Sequence, residues 1–352
     1  MTRLLAVRLD SLGDMLVTGP GIRAMAAGGA EVTVLAGPRG TDAARMLPGV
    51  HDVWTWECPW ILASPSPVDA GDIQALVERV REAAFDAALV FTSFHQSPLP
   101  TALLLRLAGV PWLGAISEDY PGSLLDLRHQ VEDDLPEPVR ALSLATAAGY
   151  SPAPPDGSLD PAGLDVRRDL PDVRALLPDQ PYVVLHPGAS VPARAWPRQR
   201  CAEAVEELAD DGWQVVVTGT PDDQALCAEV AGRHGIDLSG QTPLVELAAV
   251  LAGSAAAVVA NTGPAHLAAA VGTPVVSLFA PTVPAARWAP YGVPVALLGD
   301  QQAACRGSRA ATCPVPGHPC LSSVTGLDVA AAVAKLTTGS GASRGDVQEG
   351  VR

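Results

Sequence analysis

Twice along this chain, short apolar runs alternate with longer stretches of helical period, and that rhythm constrains the fold more than any other feature. In the first half, Arg3 to Leu9, Glu31 to Ala36, Asp52 to Trp56 and Ala87 to Phe91 read as buried strands, with helices predicted at Met15 to Ala27, Ile73 to Ala84 and Pro100 to Leu107. The pattern restarts later, with strands at Tyr182 to His186, Trp213 to Thr218, Ala256 to Ala260 and Val275 to Phe279. Helices are expected between and after them, at Gln199 to Asp210, Asp222 to His234, Pro243 to Gly253, Gly263 to Val271 and Leu327 to Lys335. Strands separated by helices pair in parallel, and the crossover helices cover both faces of the sheet. The expectation is an α/β chain of two facing Rossmann-like domains with parallel sheets, its ligands in the interdomain cleft at the carboxyl ends of the strands.

Between the halves, around Ser151 to Pro181, the pattern dissolves into proline, glycine and aspartate. The division read from this is a domain over 1–160, a linker over 161–180, a domain over 181–336 and a mobile Gly/Ser-rich tail over 337–352.

Charge narrows the partners. The 352 residues carry a formal net charge of −15, the wrong sign for nucleic acid or for docking on anionic lipid through a basic patch. The longest apolar run, Ala102 to Ile116, is interrupted by Arg106, and the apolar run near the N-terminus is only Leu4 to Val7. Both are too short for a membrane span or a signal-peptide core, so no stable membrane insertion and a cytoplasmic location are expected. Lys335 is the only lysine, so any cationic role in the body of the chain falls to arginine.

Three motifs follow strands. Arg8-Leu9-Asp10-Ser11-Leu12-Gly13-Asp14 comes after the first. Its aspartate, Asp14, reads either as a helix N-cap or as a general base toward a sugar hydroxyl, and on the local pattern alone the cap is the simpler reading. His186-Pro187-Gly188-Ala189-Ser190, followed by Arg194-Ala195-Trp196-Pro197, can surround a diphosphate with donors from Gly188, Ser190 and the fork of Arg194. Trp196 is read as core. Ala260-Asn261-Thr262-Gly263-Pro264-Ala265-His266-Leu267 opens a helix. Free N–H groups at Thr262 and Gly263 and the helix dipole would favour an anionic leaving group, with His266 on the first turn.

In that order, these motifs resemble glycosyltransferase family 9, the heptosyltransferases. The resemblance includes Leu12-Gly13-Asp14, His186-Pro187-Gly188, Arg194-Ala195-Trp196-Pro197 and Thr262-Gly263-Pro264-Ala265-His266-Leu267. It continues through Leu238-Ser239-Gly240-Gln241-Thr242 with Glu246-Leu247, and Ala269-Ala270-Val271-Gly272-Thr273-Pro274 running on to Leu278-Phe279-Ala280-Pro281-Thr282. It implies a GT-B fold, an acceptor-side first domain and a nucleotide-sugar-binding second one. It also implies an inverting transfer with no required cofactor or metal, an ADP-sugar donor (typically ADP-heptose) and a sugar-containing acceptor. By the same resemblance Asp14 becomes the base, Arg194 replaces the family's usual phosphate-binding lysine, and Ser190, Asn261, Thr262, Gly263, Pro264 and His266 line the donor and diphosphate site. Asn261 departs from the family's usual aspartate, and Ala280 from its usual glycine. The alternatives are a nucleotide-sugar epimerase of the same fold and a nucleotide-binding relative without activity.

Weaker signals remain. Gly188 and Glu246 can face the nucleoside, although Glu246 equally complements its own helix dipole. His95, Gln96 and Tyr120 lie in polar loops after strands and are acceptor candidates, with local loop capping as the competing role. Cys305, Cys313, His318 and Cys320 form a loop cluster that could hold zinc, at a spacing unlike the usual knuckles.

Overall fold

The computed structural model describes residues 1–61, 65–132, 134–154 and 160–338. The chain divides into two compact units, Met1–Arg168 and Asp169–Arg352. The first holds β1 (Arg3–Arg8), β2 (Glu31–Ala36), β3 (Val50–Thr55), β4 (Ala87–Val90), β5 (Leu113–Ile116) and β6 (Leu127–His129). They form one sheet in the order β3-β2-β1-β4-β5-β6. The second unit holds β7 (Tyr182–His186), β8 (Gln214–Val217), β9 (Gly235–Asp237), β10 (Ala256–Ala260), β11 (Val275–Leu278) and β12 (Val295–Leu298), in the order β12-β11-β10-β7-β8-β9. All strand pairs are parallel, β1 in register with β2 from Arg3↔Glu31 to Arg8↔Ala36 and β7 with β10 from Val183↔Ala256 to His186↔Val259.

Burial explains why the central strands were legible. Leu4 to Val7, Val183 to Leu185 and Ala256 to Ala260 are buried throughout, as strands covered on both faces must be. The unanticipated strands β5, β6, β9 and β12 have only three or four residues each and lie toward the sheet edges. The helix Glu137–Ala147 was also missed; it packs against the helix Leu12–Ala26. Where the two meet, a β-carbon on Gly21 would lie 2.8 Å from the Ala141 carbonyl oxygen.

The segment following residue 160 folds onto the first unit. Ala162, Leu164 and Val166 are buried, Arg23 donates to the carbonyls of Ala153, Pro161 and Gly163, and the Arg167 N–H donates to the Met46 carbonyl. The last helix, Gly326–Thr338, lies in the second unit's core; the tail expected over 337–352 is, from 339 onward, outside the described residues. Among the described residues no helix is long and apolar enough to cross a membrane.

In both sheets the order reverses at the first strand: β1 stands between β2 and β4, and β7 between β8 and β10. Chain leaving the two strands at such a point runs to opposite sides, which opens a crevice at their carboxyl ends. The three motifs follow β1, β7 and β10, all strands of these switch points.

Candidate active site

At the first switch point, loops after β1 and β4 close a ring of hydrogen bonds. Arg8, the last residue of β1, donates through Nη2 to Asp14 Oδ1 at 2.7 Å and to Ser93 Oγ at 2.8 Å. Its Nε pairs with Asp10 Oδ2 at 2.8 Å. Gln96 Nε2 donates to Asp10 Oδ1 at 2.5 Å, the Ser93 N–H donates to Gln96 Oε1 at 3.0 Å, and Ser93 Oγ reaches Asp14 Oδ1 at 3.2 Å. The Arg8 side chain is 2% exposed and Asp14 18%, so of this pair the carboxylate retains access to solvent.

The N-cap reading of Asp14 is corrected here. The cap of Leu12–Ala26 is Ser11, and Asp14 is the third helical residue, accepting from the Ser11 N–H at 3.2 Å and the Ser11 hydroxyl at 2.6 Å. Burial alone would push the Asp14 carboxyl up, but Arg8 and the Ser11 bonds outweigh it and hold the group below its ordinary value. Asp10 moves the other way, raised by burial and by the charge of Asp14 against the pull of Arg8.

Of the acceptor candidates, Gln96 belongs to this ring, with both ends of its amide engaged. His95 is exposed in the same loop, its ring edge-on to Phe94 at 5.4 Å. Tyr120 is 85% exposed in the loop after β5, which Ser97 ties to the β4 loop through Asp119 Oδ2 at 3.1 Å. Arg8, Asp10 and Ser93 were not singled out from the sequence. An arginine ending a buried strand two residues before an aspartate was the available signal, because a buried cation needs a carboxylate partner.

Gly37, after β2, is pressed against the β1 loop. A β-carbon there would lie 2.8 Å from the Leu9 carbonyl carbon and nearer still to its oxygen. Gly37→Ala is expected to cost about 1–3 kcal/mol, as overpacking does, and to disturb Asp10; a lowered urea midpoint checks this.

In the second unit, Arg194 sits on the 3-10 turn Pro192–Arg194 and donates through Nη1 to the Asn261 carbonyl at 3.3 Å. This links the loops after β7 and β10. Asn261 is 5% exposed, and neither Oδ1 nor Nδ2 of its side chain has a partner among the described residues. A buried amide left so costs stability unless something else bonds it.

Thr262 caps the helix Gly263–Ala270. The expectation of a free N–H at Thr262 fails, because that group donates to the Ala260 carbonyl at 2.8 Å; Pro264 has no N–H, so Gly263 is the donor nearest the helix start. His266 is buried on the first turn. Ser190 is exposed. Gly188 is closed in by the β8 loop, where an added β-carbon would lie 2.8 Å from Asp223 Oδ2. Glu246 is half-buried in the first turn of Leu244–Ala252. Trp196 is core, as read, donating to the Leu321 and Val324 carbonyls.

The zinc reading of the cysteine loop is not met: no group of three or more His, Cys, Asp or Glu side chains among the described residues is arranged to hold a metal ion. His318 Nε2 instead meets the Ala193 carbonyl at 3.1 Å, Cys305 and Cys320 are buried free thiols, and burial pushes the Cys320 thiol up to about 12. The Ala193 N–H donates to the Ala311 carbonyl at 3.0 Å, so the loop braces the turn that carries Arg194.

The profile of glycosyltransferase family 9 (heptosyltransferase) matches residues 73–317. The chain belongs to this family. Family membership makes it a glycosyltransferase, and the epimerase and inactive-relative alternatives give way. Lipopolysaccharide heptosyltransferase 1 of Pseudomonas aeruginosa is 30% identical over 320 residues, covering 80% of this chain and 79% of that protein. Among solved structures, the ADP-heptose lipopolysaccharide heptosyltransferase II of E. coli superposes with a TM-score of 0.71 at 22% identity, covering 97% of this chain and 100% of that one. The E. coli heptosyltransferase WaaC, solved with ADP, gives 0.70 at 20% identity, covering 95% and 100%. The fold class is therefore the α/β GT-B fold of these enzymes.

Proposed function

We propose that this family 9 enzyme transfers a heptose from ADP-heptose to a hydroxyl of a sugar-containing acceptor, with inversion and without a required metal ion. The observation that carries the donor half is Asn261: a buried, unbonded amide beside Arg194 at the β7/β10 switch point. Such a group suits a sugar hydroxyl, which can both accept from Nδ2 and donate to Oδ1. Arg194, the Gly263 N–H and His266 supply the donors for the diphosphate, with Ser190 on the exposed side and Gly188 and Glu246 toward the nucleoside.

In the first unit the acceptor hydroxyl meets Asp14, with His95, Gln96 and Tyr120 in the loops around it. Its oxygen attacks the anomeric carbon, its proton passes to Asp14 Oδ, and the bond electrons leave with ADP. Arg194 and the helix start at Gly263 stabilise the charge that develops on the departing diphosphate. These protein cations and donors do the work a divalent ion would otherwise do, so the reading includes no metal. ADP as leaving group draws support from the named donor of the E. coli heptosyltransferase II and from the ADP bound to WaaC.

Calorimetric titration with ADP, UDP and GDP, with and without magnesium, tests this. Micromolar binding of ADP alone, unchanged by magnesium, is the expected result. Preference for UDP or GDP would overturn the donor, and binding only with magnesium would overturn metal independence.

A further inference from the structure

The first unit's ring holds two carboxylates on one guanidinium. Arg8 pairs with Asp10 at 2.8 Å and with Asp14 at 2.7 Å. The other charges facing it are Glu137 and Arg140, from the helix packed on Leu12–Ala26; they pair with each other at 3.5 Å and add no net charge. Arg140 also donates to the Thr92 carbonyl just past the end of β4. The Cys58 thiol, on the side of Asp10, is pushed up to about 12 by burial and stays neutral. The site therefore carries one net negative charge while both aspartates are ionised.

This balance matters for the proton. An aspartate paired to a buried arginine alone is a poor base, because accepting a proton would leave an unpaired buried cation. With Asp10 present, protonation of Asp14 leaves Arg8 and Asp10 as a one-to-one pair. The site then passes from one negative charge to none.

We propose that Asp10 acts through Arg8 as the positioning residue that makes Asp14 an effective proton acceptor: the second carboxylate neutralises the arginine once the first has been protonated. Gln96 and Ser93 fix the geometry, Gln96 by donating to Asp10 and Ser93 by donating to Asp14. Arg8 aligns Asp14, and Asp10 offsets the loss of basicity that Arg8 causes. The inference rests on the reading of Asp14 as base.

Removal of the two partners therefore moves Asp14 in opposite directions, which a merely structural role does not predict. The Asp14 carboxyl can be titrated directly by NMR in the full-length protein labelled at the aspartate carboxyl carbon, its signal identified as the one lost in Asp14→Asn. Arg8→Gln is expected to raise the Asp14 titration by about one to three pH units, and Asp10→Asn, with Arg8 in place, to lower it by about one. An Asp14 titration unmoved or raised in Asp10→Asn would overturn the proposal. In case Arg8→Gln fails to fold, Asp10→Asn alone is read by turnover of ADP-heptose at neutral pH. A fall in kcat of about tenfold with ADP affinity unchanged is expected, with recovery in Asp10→Glu. Unchanged kcat would overturn the proposal. So would a loss as deep as that of Asp14→Asn, because Asp10 would then be the base. Turnover persisting in Asp14→Asn would instead sink the base reading, a result separable from these.

Discussion

Asp14→Asn is expected to lower kcat by about 10²–10⁴-fold, the range a positioned general base contributes, and to leave ADP affinity close to that of the unaltered protein. The substitution keeps the size of the side chain and the acceptor that Oδ1 offers to Arg8 Nη2, which donates to it at 2.7 Å. It removes the charge and the proton-accepting role. Because the carboxyl lies below its ordinary value, it is ionised at neutral pH, and activity governed by Asp14 should be flat there and fall only in acid, as the pH drops through that lowered value. ADP release from ADP-heptose measures the rate and calorimetry measures binding. Loss of both in Asp14→Asn would mean that the residue holds the fold or the donor, and the base assignment would fail.

The second large effect belongs to the diphosphate. Arg194→Ala should reduce kcat/KM by about 10²–10³-fold, comparable to removing a group that stabilises charge in the transition state, and should weaken ADP. Arg194→Lys restores the charge without the planar fork and should recover part of the loss. Normal rates in Arg194→Ala would remove it from the site. The Ala193 N–H and carbonyl are held by Ala311 and His318, so the turn should keep its shape in both variants and the comparison isolates the side chain.

These two residues show how far the sequence reaches. Asp14 and Arg194 follow strands whose apolar interiors, Leu4 to Val7 and Tyr182 to Leu185, mark them as buried in a parallel sheet, and local chain order places both in the segments after those strands. Asn261 was visible as a departure from its family, but only the packed structure reveals that both polar atoms of its side chain are buried and unbonded. The N-cap reading of Asp14 and the free N–H at Thr262 were one-dimensional inferences. The first failed because Ser11 took the cap, the second because the Thr262 N–H turned back to Ala260. Such choices lie within a few residues of chain but depend on backbone dihedrals that spacing does not encode.

What the sequence determined by itself was the α/β class and the central strands β1, β2, β4, β7, β8, β10 and β11. A strand buried on both faces is apolar over most of its length, so its own composition declares it. The tertiary structure alone decided the short outer strands β5, β6, β9 and β12, whose three or four residues depend on a neighbour's ladder for their hydrogen bonds. It alone decided that β1 stands beside β4, and so that Arg8 at the end of β1 and Asp10 just after it meet Ser93 and Gln96 some eighty-five residues away. Strand order is a non-local property: it is set by how the helices cover the sheet, and that packing brings two carboxylates onto a single buried arginine.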